Sequence, residues 1–162
     1  MDRKTFIKTG SLATAGTILG APYVLRANKK VDNTIRIGFI GTGLRGRNHV
    51  SNILDYEGVE CPVICDIDPE AVKQTQKIFE EKGLESPKVY SEHERSYEEM
   101  LEKEDLDGVI MATDWKWHTP ICIKAMEEGI YVGSEVSGAF SVEECWELVN
   151  THQENGYSPY VP

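Results

Sequence analysis

The sequence has four cysteines in 162 residues, and none of them forms a Cys-x-x-Cys pair. No histidine stands at zinc spacing from Cys61, Cys65, Cys122 or Cys145, so no metal site is expected. Cys61 and Cys65 fall on one face of a predicted strand, where thiols are ordinary core residues. Basic side chains are also scarce: 17 Lys and Arg stand against 27 Asp and Glu, a net charge of −10. The shortage is uneven. Residues 1–30 carry six basic side chains and one acid, leaving the other 132 residues with 11 basic and 26 acidic groups, a net of −15. A body that acidic repels a phosphate backbone, which excludes nucleic acid as a partner. Internal repeats and low-complexity tracts are missing too. With 40% apolar and 27% charged residues, the chain reads as one soluble globular domain, too short for two full ones.

The first thirty residues stand apart. "MDRKTFIKTGSLATAGTILGAPYVL" has a basic start, then an apolar, small-residue run to Leu25 broken by Pro22. That is the layout of an export signal, too short and glycine-rich for a membrane span. "DRKTFIK" resembles a twin-arginine signal, with Arg3 and Lys4 where two arginines would stand. No cysteine lies near the run, so no lipoprotein or other stable membrane anchor is expected. The expectation is a signal over 1–30 and a periplasmic product.

From Asn33 onward strands and helices alternate. "TIRIGFIG", "VECPVICD", "KVY", "DGVIMAT" and "IYVGSE" read as strands. Between them lie predicted helices: "LRGRNHVSNILD", "PEAVKQTQKIFEEKG" opened by Pro69, "SYEEMLEKE" capped by Ser96, and "TPICIKAMEEG". A last helix, "VEECWELVNTHQEN", follows a capping box made by Ser141 and Glu144. This alternation predicts right-handed βαβ units in a doubly wound parallel α/β sheet. Pro62 conflicts with an interior strand and is expected near a strand start or a bulge.

The first strand-to-helix turn is "GTGLRG", Gly41-x-Gly43-x-x-Gly46, and Asp66 ends the next strand twenty residues on. In that context the pattern is the Rossmann fingerprint. Gly41 allows the tight turn, Gly43 lets backbone N–H groups approach a pyrophosphate, and Gly46 lets helix and strand pack closely. The helix N-terminus then faces the anion. Asp66 would accept from ribose hydroxyls and repel a 2′-phosphate, at a cost on the order of 1–3 kcal/mol for NADP. Arg45 argues the other way, since an arginine in this loop could reach a 2′-phosphate. Asp66 is the better placed, and NAD is the expected cofactor. A glycine turn without a ligand is the alternative.

Two further stretches fall at strand ends, where ligands bind in parallel sheets. "ATDWKWHTP" places Trp115, Trp117 and His118 in one loop. The tryptophans need an apolar surface, either a cofactor ring or protein packing. His118 is a candidate acid or base, or a structural hydrogen-bonding residue. "GSEVSGAF" places Glu135 and Val136 just past the fifth strand. His49, His93 and His152 receive no role.

Taken together, "IRIGFIGTGLRGRNHV", "CDIDPEAV", "DWKWHTPICIKAMEEG" and "EVSGAFSVEECW" resemble the N-terminal domain of the Gfo/Idh/MocA superfamily. More narrowly they resemble the NAD-dependent glycosidases of glycoside hydrolase family 109. The resemblance implies that NAD is held by the glycine turn with Leu44 and Arg45, by Asp66, by the Trp115–His118 loop, and by Glu135 with Val136. Sugar dehydrogenases of the superfamily usually carry Glu-Lys-Pro where this chain has Glu135-Val136-Ser137. Valine moves no proton, so a dehydrogenase that uses that lysine is disfavoured. In the glycosidases, hydride transfer from a sugar carbon to NAD acidifies the neighbouring C–H. Elimination then expels the aglycone, and water addition with hydride return completes a net hydrolysis, outside the two-carboxylate scheme.

The resemblance also implies a second, α+β domain carrying the substrate pocket, catalytic tyrosine and histidine residues, and the oligomer interface. "GYSPYVP" ends at residue 162, where a sixth strand should form, and its two prolines fit a strand poorly. The expectation is thus a dinucleotide-binding domain over 33–157 with a truncated end at 158–162, the C-terminal α+β domain missing. A small-molecule carbohydrate substrate would be met through that domain, and a homo-oligomer belongs to the full-length form. A sugar dehydrogenase and a non-catalytic dinucleotide-binding module remain the alternatives.

Overall fold

The computed structural model describes residues 34–157 and the backbone of 159–160; the expected export signal lies outside the described residues. Strand β1 (Ile35–Ile40) runs through a glycine turn into α1 (Leu44–Ile53). Next come β2 (Val59–Glu60), β3 (Val63–Cys65), α2 (Pro69–Glu81), β4 (Lys88–Tyr90) and α3 (Ser96–Lys103). The second half holds β5 (Gly108–Met111), a 3₁₀ turn (Trp115–Trp117), α4 (His118–Glu127), β6 (Tyr131–Ser134), α5 (Val142–Asn155) and β7 (Pro159–Tyr160). Every pairing is parallel, in the order β4-β3-β1-β5-β6-β7, with β2 beside the start of β1. This is the expected doubly wound sheet. The chain winds outward from β1 to β4, then returns to β1's other side at β5. The loops leaving β1 and β5 therefore diverge and open a crevice at the switch point.

Side-chain alternation along the strands divides the core between the two sheet faces. Phe39 and Ile64 pack with Val50 of α1 and Phe79 of α2. Ile40, Val63 and Cys65 face the other side, with Met100 of α3 and Ile121, Ala125 and Met126 of α4. Cys61 joins the first cluster and Cys65 the second. The expectation that these two thiols share a face is therefore corrected. The pairing breaks at Cys61–Pro62, between β2 and β3, and the count of alternating residues does not carry across the break. Pro62 sits at that break, as its missing N–H requires.

The helix ends follow local chemistry. Asp68 accepts from Glu70 N at 2.9 Å with Pro69 as the first residue of α2. Ser141 accepts from Glu144 N at 3.1 Å, and the Glu144 carboxylate reaches back to Phe140 N at 2.5 Å, one residue before the cap. Ser96 differs from its expected capping role. It lies inside α3, fully buried, and its hydroxyl accepts from His93 N at 2.9 Å. The chain end differs as well: Val132 pairs with Pro159 and Gly133 with Tyr160, so a short sixth parallel position does form in line with β6. Proline is tolerated there because β7 is the sheet's edge among the described residues. Among the described residues no helix is long and apolar enough to cross a membrane.

Candidate cofactor site

A crevice of about 430 Å³ opens at the carboxyl ends of β1, β3 and β5. Its walls come from the glycine turn, the residues after β3 (Asp66, Ile67), and the loop after β5 (Ala112–Asp114 and Lys116). Gly41 has φ +82, a left-handed conformation that L side chains rarely adopt, and it turns the chain from β1 toward α1. Behind it Gly46 backs onto the turn: a Cβ there would lie 1.9 Å from the Gly41 carbonyl oxygen. A Cβ at Gly43 would meet nothing within 4 Å. The space above Gly43 is open, and the first N–H groups of α1 have no capping side chain. Bare N–H donors at a positive helix end suit an anion such as a pyrophosphate.

Asp66 is tied into this turn. Its Oδ2 accepts from Thr42 N at 2.5 Å and Thr42 Oγ1 at 3.1 Å, and its Oδ1 from Asp68 N at 2.9 Å. A carboxylate offers about four acceptor positions, so one on Oδ1 is left for a ribose hydroxyl. The three protein donors fix the carboxylate before any ligand arrives. Thr42 was missed by the sequence reading because its spacing marks it only as the variable position of the fingerprint.

Arg45 also lines the crevice, but its Nε is drawn to Glu135 Oε1 at 2.7 Å. That contact takes it toward β6, away from the Asp66 side where a 2′-phosphate would lie. His49 Nε2 meets the same oxygen at 2.6 Å. The paired Arg45 guanidinium and then the His49 contact hold the Glu135 carboxyl below its ordinary value, with burial opposing. The sequence alone assigns His49 no role. Its spacing of four from Arg45, which puts both on one face of α1, was the available signal.

The loop after β5 divides the aromatic residues. Trp117 lines the crevice and packs edge-on to Tyr97, ring centroids 6.0 Å apart. Trp115 is 56% exposed, lies outside the crevice lining, and tilts against Phe140 at 5.9 Å. Lys116, between them, faces the crevice with its Nζ 5.3 Å from the Trp117 ring and 3.9 Å from Glu94 Oε1. Leu44 lines the crevice and is 76% exposed. Val136 is exposed beyond β6, and Glu135 reaches the crevice through Arg45.

His118 opens α4 just past these aromatic residues. It is wholly buried, with Nδ1 2.6 Å from the Ser137 carbonyl and Nε2 3.2 Å from the Thr113 carbonyl. Ser134 Oγ also lies 3.2 Å from Nδ1, so the ring braces the β5 loop against the β6 loop. Thr119 adds to this brace through its contact with the Gly138 carbonyl at 3.4 Å. Among the described residues no group of three or more His, Cys, Asp or Glu side chains stands close enough to hold a metal.

Comparison with known proteins agrees with this geometry. Residues 35–161 match the family described as "Oxidoreductase family, NAD-binding Rossmann fold". The chain belongs to the Gfo/Idh/MocA family. It is 44% identical over 128 residues to an alpha-N-acetylgalactosaminidase of Tannerella forsythia, covering 78% of this chain and 27% of that protein. A glycosyl hydrolase family 109 protein of Parabacteroides distasonis is 41% identical over 145 residues, covering 89% of this chain and 31% of the relative. Among solved structures, the WlbA dehydrogenase of Chromobacterium violaceum, in complex with NADH and UDP-GlcNAcA, superposes with a TM-score of 0.68 at 26% identity. That alignment covers 82% of this chain and 36% of the dehydrogenase. The chain thus spans about a third or less of these relatives, and what it shares with them is the NAD-binding Rossmann unit.

Proposed function

We propose that this chain forms the NAD-holding part of a carbohydrate-active enzyme whose net reaction is glycoside hydrolysis. The observation that carries the reading is Val136, exposed just past β6 in the segment Glu135-Val136-Ser137. Sugar dehydrogenases that this chain resembles usually carry a proton-transferring lysine there, and valine supplies no such group. The crevice's own lysine, Lys116, is turned to Trp117 and Glu94 instead. The 44% identity to an alpha-N-acetylgalactosaminidase supports the same reading.

The crevice fits NAD on its own features: the open space above Gly43, the uncapped start of α1, and the prepositioned Asp66. The N–H groups of Leu44 and Arg45 would hold the pyrophosphate, aided by the charges of Arg45 and Lys116. Asp66 would accept from the adenine-side ribose, and Trp117 with Tyr97 would wall the crevice against water. When bound, NAD supplies a hydride acceptor that later returns the hydride. A carbohydrate substrate would be gripped by groups outside this chain, and any homo-oligomer would form through them.

The test is to join residues 33–162 to the remaining length of the Tannerella forsythia relative and assay aryl N-acetylgalactosaminides. Aglycone release without accumulation of NADH is the expected result. Accumulation of a stable ketosugar would overturn it in favour of a dehydrogenase, and tight NAD binding without turnover would favour a non-catalytic module. Residues 1–30 are proposed to direct export; fused to a reporter they should carry it into the periplasm, and cytoplasmic retention would refute that.

A further inference from the structure

Two stretches of chain some ninety residues apart meet on a single oxygen atom beside the crevice. Arg45 Nε and His49 Nε2 lie 2.7 Å and 2.6 Å from the same Glu135 Oε1. Both come from one face of α1, and Glu135 comes from the first position past β6. Among the described residues no donor is found on Glu135 Oε2. The two contacts to Oε1 are unequal in kind. The Arg45 side chain is 65% exposed and long, and it also lines the crevice, so a bound pyrophosphate competes for it. An exposed pair of this kind holds geometry weakly. The His49 side chain is 28% exposed, with two rotatable bonds, and stands outside the crevice lining. A short, stiff donor loses less freedom in holding its partner than an arginine does.

We propose that His49 is a positioning residue for the cofactor: by holding Glu135 Oε1 it presents Oε2 to a hydroxyl of the second ribose, on the nicotinamide side of NAD. The assignment rests on the NAD reading of the crevice. Asp66 serves the adenine side, next to β3, and Glu135 lies on the opposite flank, next to β6, as the two ends of a dinucleotide laid across a switch point require. His49 serves in this role as a neutral imidazole with its proton on Nε2 or as an imidazolium, since either form donates to Oε1. Arg45 is then free to turn to phosphate while Glu135 stays in place.

The measurement is the affinity of the 162-residue chain for NAD and for ADP, which has the adenine half and lacks the second ribose. His49→Ala should weaken NAD about tenfold, the worth of one hydrogen bond to a charged group, and leave ADP within about twofold. His49→Gln, which retains a donor, should restore most of the NAD affinity. Where alanine costs the fold, His49→Phe, close in size and without a donor, carries the same comparison. Equal loss for both ligands would reduce His49 to a structural role, and no loss for either would remove it altogether; both outcomes overturn the proposal. A wild-type chain that binds ADP and NAD equally would also overturn it, because the second ribose would then contribute nothing. A wild-type chain that binds neither would bring down the cofactor reading itself, and this assignment with it.

Discussion

Thr42 N and Asp66 Oδ2 lie 2.5 Å apart, so the acid that closes β3 is locked to the turn that leaves β1. The same carboxylate that would recognise a ribose also pairs a backbone N–H of a fully buried residue. Removing it leaves that N–H without its acceptor, at a cost of about 1–3 kcal/mol. Asp66→Ala should therefore lower the urea midpoint and weaken NAD together. It should weaken NADP less, because the repulsion of a 2′-phosphate disappears with the acid. Titration of both cofactors against both proteins checks this. An equal loss for the two would reject Asp66 as the selecting residue.

Gly43 and Gly46 are expected to respond in opposite ways to the same added methyl. At Gly43 the methyl enters open space, with φ −57 already suited to an L residue. Gly43→Ala should unfold within about 0.5 kcal/mol of wild type, yet bind NAD poorly, because the methyl stands where the pyrophosphate must approach the backbone. At Gly46 the methyl would sit 1.9 Å from a backbone oxygen that cannot rotate away. Gly46→Ala should cost about 3 kcal/mol or more. Denaturation curves read beside NAD titrations separate the two. A destabilised Gly43→Ala, or a Gly46→Ala of native stability, would contradict the division of roles.

The sheet and the glycine turn were legible because they rest on local signals. Alternating runs, Pro69 at a helix start and Ser141 at a cap each act within a few residues, and the structure keeps all of them. Asp66 was legible for the same reason, by its distance from the glycines. What was not legible depends on contacts between distant stretches. The ring of His118 lies between the carbonyls of Thr113 and Ser137, with Ser134 Oγ beside Nδ1, and only folding brings Ser134 and Ser137 to it. His49 acquires a role only when β6 delivers Glu135 to α1. The opposite faces of Cys61 and Cys65 follow from a pairing break whose position Pro62 hints at, but whose effect on register it leaves open.

The cysteines give a separate test of the core. Burial pushes the thiols of Cys61, Cys65 and Cys122 up to about 12, and for Cys65 the nearby Asp66 and Glu92 charges add to it. Thiols so raised hold almost no thiolate at pH 8, the form that reacts. Cys145, on α5, is exposed. An aromatic disulfide reagent should therefore find one fast thiol in the native protein and four after denaturation. Two or more fast thiols in the native protein would mean that the sheet's faces are less closed than described.

Glu135 links the site to acid stability. The Arg45 guanidinium, then His49, hold its carboxyl below the ordinary value of 4.5, while partial burial opposes them. A carboxyl whose value is lower in the folded protein than in the unfolded chain binds protons more weakly when folded. Its stabilising contribution is present in full above the unfolded value and is lost as pH falls through the folded one. Glu135→Gln removes that contribution at every pH. The gap in denaturation midpoint between wild type and Glu135→Gln should thus be present at about pH 5.5, above the ordinary carboxylate range, and narrow as pH falls through that range and below it. Added salt at pH 7 should narrow the gap only in part, since Glu135's side chain is 17% exposed and Arg45's is 65%. A gap that widens as pH falls from about 5 to about 3 would mean that the carboxyl is raised rather than lowered in the folded protein. The Arg45–Glu135–His49 cluster would then be held together by something other than the charge on Glu135.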